Sequence, residues 1–128
     1  MALGHDDRCV LLNVMQTVTI PVEKIIDWPS FHETFQRELG FPDFYGRNMN
    51  AWIDCMTSAD APADGLSTVT VAPGEVRVLR IDGPFEFRRR CPEQYDTLME
   101  CTAFVNFRRV EIGESPVLAL LLVGRSAL

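Results

Sequence analysis

The chain has 128 residues, of which 47% are hydrophobic and 23% charged, and its formal net charge is −6. This length and balance predict a single folded domain over residues 1–128 with one core, and they exclude an intrinsically disordered chain. The negative charge repels nucleic-acid phosphates and attracts basic proteins, so we expect a protein partner and no nucleic acid.

The first predicted elements are a strand and a helix. Residues 15–20 end in alternating threonine and aliphatic residues, which predicts a strand. The start of the helix has two candidates, because Ser30 to Glu33 fits a capping box while Asp27 can cap a helix that begins earlier. Gly40 supplies the left-handed backbone that ends the helix. The expected buried stripe of this helix consists of Trp28, Phe31, Phe35 and Leu39.

Residues 41–58 combine an extended turn with a short helix that has two different faces. Pro42 favours the extended turn, which delivers Phe44 and Tyr45 to the start of the helix. The apolar stripe of the helix, spaced at i, i+3, i+4 and i+7, consists of Met49, Trp52, Ile53 and Met56. The opposite polar stripe consists of Arg47, Asn50, Asp54 and Thr57. Such a helix can bury one face and display a carboxylate, an amide and a hydroxyl on the other, which is typical of a binding surface.

The next segment, residues 59–75, is predicted to hold a loop and a short strand over residues 67–71. The Pro73-Gly74 turn would connect this strand to a second strand at residues 76–81. The two strands would then form a hairpin whose first arm is an extra edge strand. We expect the extra strand to serve either recognition or protection of the sheet edge.

The remaining elements are two helices and a final strand. Residues 84–90 predict a short helix, and Pro92 opens a longer helix through about residue 107. The arginines at 88–90 and 108–109 stand beside acidic residues, which indicates solvated helix faces. The apolar run at 117–123 lacks alternation, which predicts a parallel strand covered on both faces. The chain is therefore expected to be an α/β protein.

Two features bear on chemistry and location. Four scattered cysteines, with no C-x-x-C and no histidine at ligand spacing, predict neither a metal nor a cofactor. They could in principle pair, but in a reducing cytosol we expect them to stay thiols. The N-terminus lacks a secretory pattern, and the apolar run at 117–123 is far shorter than the ~20 residues that cross a bilayer. We therefore expect a cytoplasmic protein without a membrane partner, whose residues 1–12 form a loosely ordered extension.

Residues 17–58 carry a recognisable pattern: Phe44-Tyr45-Gly46, then Asn48, then a helix that ends Asp54-Cys55-Met56-Thr57. This pattern resembles the barstar family of intracellular ribonuclease inhibitors. Over residues 76–123 the resemblance is only in the order strand, helix, helix and strand. The resemblance implies a three-stranded parallel sheet packed by helices, to which the predicted hairpin adds an edge strand.

The resemblance also implies a function and a site. The implied partner is a basic ribonuclease or nuclease toxin, bound by a monomer as in an inhibitor or immunity protein. Carboxylates held rigidly on a helix would replace phosphate oxygens in the nuclease, with Asp54 as the main acidic contact. The implied partner-binding residues are Phe44, Tyr45, Asn48, Asn50, Asp54, Thr57 and Ser58.

This chain departs from the family pattern at several positions. Asn50 stands where the family has a second helix aspartate, and Ile53 and Ala59 stand where it has tryptophans. Asn106 is the nearest match to an acidic residue of the last helix. Structural alternatives also stay open: Asn48 as a helix cap, Tyr45 as cover for the core edge, and Asp54 as a merely solvated carboxylate.

Three function classes follow. The leading hypothesis is an inhibitor of a ribonuclease-like protein, and the alternative is an interaction module of the same fold with a different partner, which the departures favour. An enzyme is disfavoured because the sequence lacks paired carboxylates with a nucleophile, a glycine-rich phosphate loop and a metal triad.

Overall fold

The structure, a computed structural model, describes residues 17–125. Its sheet has three strands: β1 (Thr17–Thr19), β2 (Arg77–Asp82) and β3 (Leu118–Val123). The strands lie in the order β1-β2-β3 and both pairings are parallel. The parallel three-stranded sheet expected from the sequence is therefore confirmed. The first residues of the predicted strand at 15–20, and the extension at 1–12, lie outside the described residues.

Four helices pack with this sheet in the order that the sequence predicts. They are α1 (Trp28–Leu39), α2 (Met49–Thr57), α3 (Pro84–Arg90) and α4 (Pro92–Glu111). Single turns of 3-10 helix occur at Val22–Lys24 and Pro62–Asp64. None of the helices within residues 17–125 is long and apolar enough to cross a bilayer.

The ends of α1 show which of the two candidate starts is used. Asp27 caps the helix, and its Oδ1 accepts a hydrogen bond of 2.9 Å from the Ser30 amide. The Ser30 hydroxyl in turn accepts one of 3.0 Å from the Asp27 amide, which completes a reciprocal capping box. At the other end Gly40 takes the left-handed conformation, with φ of 65°, as predicted.

The core lies between the sheet and the helices. From α1, Phe31, Phe35 and Leu39 are fully buried, whereas Trp28 is half-buried and its indole N–H donates to Glu93 Oε1 at 3.0 Å. The stripe predicted on α2 is buried as expected, with Trp52 and Met56 at full burial, Ile53 buried and Met49 half-buried. From the central strand, Leu79 and Ile81 face the same core.

The predicted extra edge strand at 67–71 is wrong. The sheet described has three strands, and the backbone of this segment bonds to helix ends instead. The amides of Thr68 and Val69 donate to the carbonyls of Gly40 and Leu39, and the Val71 amide donates to Ala59 O. The Ser67 hydroxyl adds a hydrogen bond of 2.5 Å to Leu39 O. Alternation alone did not reveal that helix-end carbonyls, rather than β2, would satisfy these donors.

The prediction that the last strand is covered on both faces is also wrong. β3 lies at the edge of the sheet, where it pairs with β2 alone among the described strands. Val117 and Leu118 are buried, but Leu121, Leu122 and Val123 are exposed. The continuous apolar run here belongs to an edge strand whose later residues are exposed, because the run does not encode how far other elements cover the faces of the strand.

Candidate functional site

The turn before α2 fixes the geometry of the helix start. Asn48 caps α2, because its Oδ1 accepts a hydrogen bond of 2.8 Å from the Ala51 amide. Its Nδ2 donates to Gly46 O at 3.2 Å, which ties the cap to the turn. Arg47 holds a positive φ of 53° and donates to Gln36 Oε1 at 3.3 Å. The start of α2 is thus anchored to both its own turn and α1.

The predicted contact residues differ in how far they reach the surface. Phe44 is 77% exposed, and the Asp54 side chain is 68% exposed. Asn48 and Asn50 are also exposed. We call these four residues the α2 face. Thr57 and Ser58 are half-buried at the helix end, where the Thr57 hydroxyl donates to Ile53 O at 2.6 Å.

Tyr45 lies apart from the α2 face because its side chain points into the protein. It is buried, and its hydroxyl lies 2.6 Å from Nδ1 of the buried His32. Burial raises the pKa of the Tyr45 phenol and lowers the pKa of His32, which the nearby Arg47 lowers further. The pair is therefore neutral near pH 7, and the hydroxyl can donate to Nδ1 when the ring proton is on Nε2.

A pocket of about 170 Å³ opens beside Asp54. Its lining consists of Pro42, Phe44, Tyr45, Gly46, Ala51, Asp54, Cys55 and Leu66. Leu66 comes from the segment at 59–75, so that segment borders the α2 face even though it forms no strand. Burial, and then the neighbouring Asp54 charge, raise the pKa of the Cys55 thiol to about 11. The thiol is therefore protonated at neutral pH and unsuited to act as a nucleophile.

The last long helix contributes residues that sequence reasoning missed. Arg108 on α4 lies with its Nη1 4.0 Å from Asp54 Oδ1, so the α2 face meets α4 through an ion pair. The same guanidinium lies over the Phe104 ring, 5.7 Å from its centroid. Phe107 is exposed one turn along. The available signal was the spacing of Phe104, Phe107 and Arg108 at i, i+3 and i+4, which places two aromatic rings and a cation on one helix face.

The interpretation of all the arginine runs as solvated faces is wrong at Arg109. Its side chain is only 4% exposed and makes a two-pronged pair with Asp60, at 3.0 and 2.7 Å. It also donates to Thr57 O at 2.9 Å and Ser115 O at 2.7 Å. Sequence spacing could not show this role, because Asp60 lies 49 positions away along the chain. Arg109 lies in the last turn of α4, which continues to Glu111, beyond the predicted end near residue 107.

Asn106, the nearest match to an acidic family residue, is occupied by backbone contacts. Its Nδ2 donates to Leu118 O at 2.9 Å, and its Oδ1 accepts from the amides of Val117 and Leu118 at 3.0 and 3.1 Å. The side chain fastens the start of β3 to α4. It therefore stands in a structural position and is not part of the α2 face.

Within residues 17–125 no group of three or more histidine, cysteine, aspartate or glutamate side chains is arranged to hold a metal ion. Cys55, Cys91 and Cys101 are free thiols, and the first two are buried. What the described surface offers is a rigid helix with a carboxylate, amides and an exposed aromatic ring.

The fold is that of a small α/β protein built on a three-stranded parallel sheet, with a capped two-faced helix beside an aromatic turn. The family model described as Barstar (barnase inhibitor) matches residues 15–114. The chain therefore belongs to the barstar family. No curated protein matches the chain.

Proposed function

We propose that this protein is an inhibitor that binds a ribonuclease-like protein through the α2 face and blocks its active site. Asp54 is the centre of the proposed contact, with Phe44, Asn48 and Asn50 beside it. The observation that carries the proposal is the exposed Asp54 carboxylate on a helix whose start is fixed by two side-chain hydrogen bonds.

The chemistry of RNA cleavage supports this arrangement. A ribonuclease must hold phosphates with cationic and amide donors, and a carboxylate accepts the same paired hydrogen bonds from arginine as a phosphate does. A carboxylate on a capped helix is already positioned, so docking costs little conformational entropy. The family description, barnase inhibitor, and the net charge of −6 both favour a basic nuclease as the partner.

Three of the predicted contact residues, Asn48, Thr57 and Tyr45, also have structural roles. Asn48 caps α2, and the Thr57 hydroxyl donates a hydrogen bond to a backbone carbonyl of the same helix. Tyr45 lines the pocket beside Asp54 while its hydroxyl bonds to His32. We infer that Tyr45 would contact a partner only through the pocket, with its ring.

The proposal is tested by calorimetric titration of this protein with barnase, with RNA cleavage assayed in parallel. Asp54→Asn should weaken binding at least about tenfold, a loss of about 1.4 kcal/mol, and relieve inhibition in proportion. Folding should be unchanged because the side chain is exposed and its ion pair is weak.

Glu33→Gln is the matched control for Asp54→Asn. Glu33 is 65% exposed and lies 3.9 Å from Arg37, so it resembles Asp54 in exposure and pairing but lies on α1. It should leave affinity within about twofold of wild type. Equal effects of the two substitutions would mean that only net charge matters, and the assignment of the α2 face would then fail.

The second candidate is an interaction module of the same fold with a partner that is not a ribonuclease. It is favoured by one observation: Arg108 lies beside Asp54, while Asn50 supplies no second carboxylate. The α2 face therefore carries one carboxylate with a guanidinium beside it, which matches a purely cationic site less well than two carboxylates would. Absence of binding to barnase by both wild type and Asp54→Asn would favour this candidate.

A further inference from the structure

The proposed contact surface does not end at Asp54, because it continues onto α4. Asp54 lines the pocket that Phe44 also lines, and on its other side it pairs with Arg108. Arg108 in turn lies over Phe104. Phe44, Asp54, Arg108 and Phe104 therefore form one continuous surface, in that order, which we call the extended face.

The extended face carries one negative and one positive charge side by side. Asp54 and Arg108 are 68% and 46% exposed and lie 4.0 Å apart, so each is accessible to a partner. Exposed ion pairs are weak, so a partner can separate them at little cost. A uniformly cationic site would be attracted by Asp54 but repelled by Arg108 at nearly the same place, and like charges brought together select against a partner.

Aromatic rings lie on both sides of the ion pair. Phe44 is exposed on the turn side, and Phe104 and Phe107 are exposed on the α4 side. Aromatic residues are enriched at protein interfaces because they bury large areas with few rotatable bonds. The extended face therefore has the composition of a docking surface: a charge pair in the middle and apolar rings around it.

We infer that Arg108 determines which partner is accepted, and that the partner presents a cation to Asp54 and a carboxylate to Arg108. This inference rests on the proposed function, since it uses the same face. The occupant is a basic protein, because a chain of net charge −6 attracts an oppositely charged partner and repels a second copy of itself. Its docking site holds one acidic group beside its cations.

The first arm of the test uses wild-type barnase as the probe and reverses the charge of Arg108. Where the nuclease offers Arg108 cations alone, Arg108→Glu should tighten binding about tenfold, and Arg108→Gln by less, because a like charge is removed. Where the nuclease already presents a carboxylate there, Arg108→Glu should weaken binding by a similar factor. Arg37→Glu is the matched control, since Arg37 is 45% exposed and lies 3.9 Å from Glu33 on α1. It makes the same change in net charge and should alter affinity less than about threefold.

The second arm changes the probe. A set of barnase variants, each with one arginine or lysine at the rim of the active site replaced by glutamate, is titrated against wild type and Arg108→Glu. At least one variant should bind the wild-type chain more tightly than Arg108→Glu, because its new carboxylate meets Arg108. That reversal of preference is the expected signature of a paired cation and carboxylate on the partner.

The outcomes separate the two proposals. Equal effects of Arg108→Glu and Arg37→Glu, with binding still lost in Asp54→Asn, would overturn the role of Arg108 and leave the proposed function standing. No binding of any barnase by wild type or Arg108→Glu would overturn the proposed function and this inference together. Wild-type dimers in sedimentation that Arg108→Glu abolishes would show that a second copy occupies the face, which also overturns the inference.

Discussion

At the residue scale, the buried pair of His32 and Tyr45 carries the clearest electrostatic consequence. The two side chains lie 2.6 Å apart behind the α2 face, and burial lowers the pKa of His32. The folded state therefore binds a proton at His32 less readily than the unfolded state does. Since Tyr45 belongs to the turn and His32 to α1, this pair also couples the turn to the core.

The pH dependence of stability follows from the lowered pKa of His32. Between its folded pKa and the ordinary value of 6.5, the unfolded chain holds more protons, so stability should fall as the pH falls through this window. The slope of unfolding free energy should approach about 1.4 kcal/mol per pH unit at most. Urea unfolding of wild type and His32→Gln at several values between pH 7.5 and pH 5 measures it.

In His32→Gln the slope of unfolding free energy against pH should become shallower over this range, even where the substitution also changes the overall free energy of unfolding. Tyr45→Phe is the companion variant, because it removes the hydroxyl but leaves the imidazole buried and should keep the slope. The other histidine of the chain, His5, lies outside the described residues. A slope that survives in His32→Gln would contradict the assignment.

At the element scale, α2 depends on its cap both for stability and for presenting the α2 face. A nine-residue helix is marginal by itself, so its start needs the hydrogen bond that Asn48 accepts from Ala51. The apolar stripe holds the helix on the core while the cap fixes where the exposed face begins. Structural and functional roles of Asn48 can therefore be separated only by choosing a substitution that keeps the cap.

Asn48→Ala should destabilise the protein by about 1 kcal/mol, because it removes the cap acceptor. Asn48→Asp should cost much less, since its carboxylate can accept the same bond and lies at the positive end of the helix dipole. Thermal and urea unfolding give both values. Equal destabilisation by the two would show that the Nδ2 bond to Gly46 O, rather than the cap, is what matters.

At the scale of the whole molecule, Arg109 joins parts of the chain that are distant in sequence. Its guanidinium bonds to Asp60 and to the carbonyls of Thr57 and Ser115, so the end of α2, the following loop and the end of α4 meet there. The hydrogen bond to Thr57 O also satisfies a carbonyl at the C-terminal end of α2. The relative placement of α2 and α4, and hence of Asp54 and Arg108, rests on this cluster.

Asp60→Asn should destabilise the fold by about 3 kcal/mol, because it leaves a buried guanidinium without its main carboxylate. Asp82→Asn is the control: it removes the partner of Arg80 in an exposed pair of 3.0 Å and should cost less than about 1 kcal/mol. Urea unfolding measures both. Similar losses for the two would mean that Arg109 finds a sufficient partner in Glu114, 3.5 Å away.

The order and type of the four helices and the three strands of the sheet could be predicted from the sequence, since they follow from local spacing and from caps and breakers, whereas the strand predicted at 67–71 does not form. The stripe of Trp52 and Met56, the glycine that ends α1 and the break at Cys91-Pro92 all depend on neighbours within a few positions. The sequence also indicated the turn and helix that carry Phe44 and Asp54, because a two-faced helix is visible in spacing alone.

Which groups meet across the chain follows from the three-dimensional packing and could not be predicted from local spacing. This packing turned the predicted strand at 67–71 toward the ends of α1 and α2, exposed one end of β3, buried Arg109 and placed Arg108 beside Asp54. The backbone amides of residues 68, 69 and 71 and the guanidinium groups of Arg108 and Arg109 each meet a partner that lies near in space, and no local pattern records a partner about 50 residues away. The exposure of β3 has a different reason, because it depends on which part of the strand other elements cover.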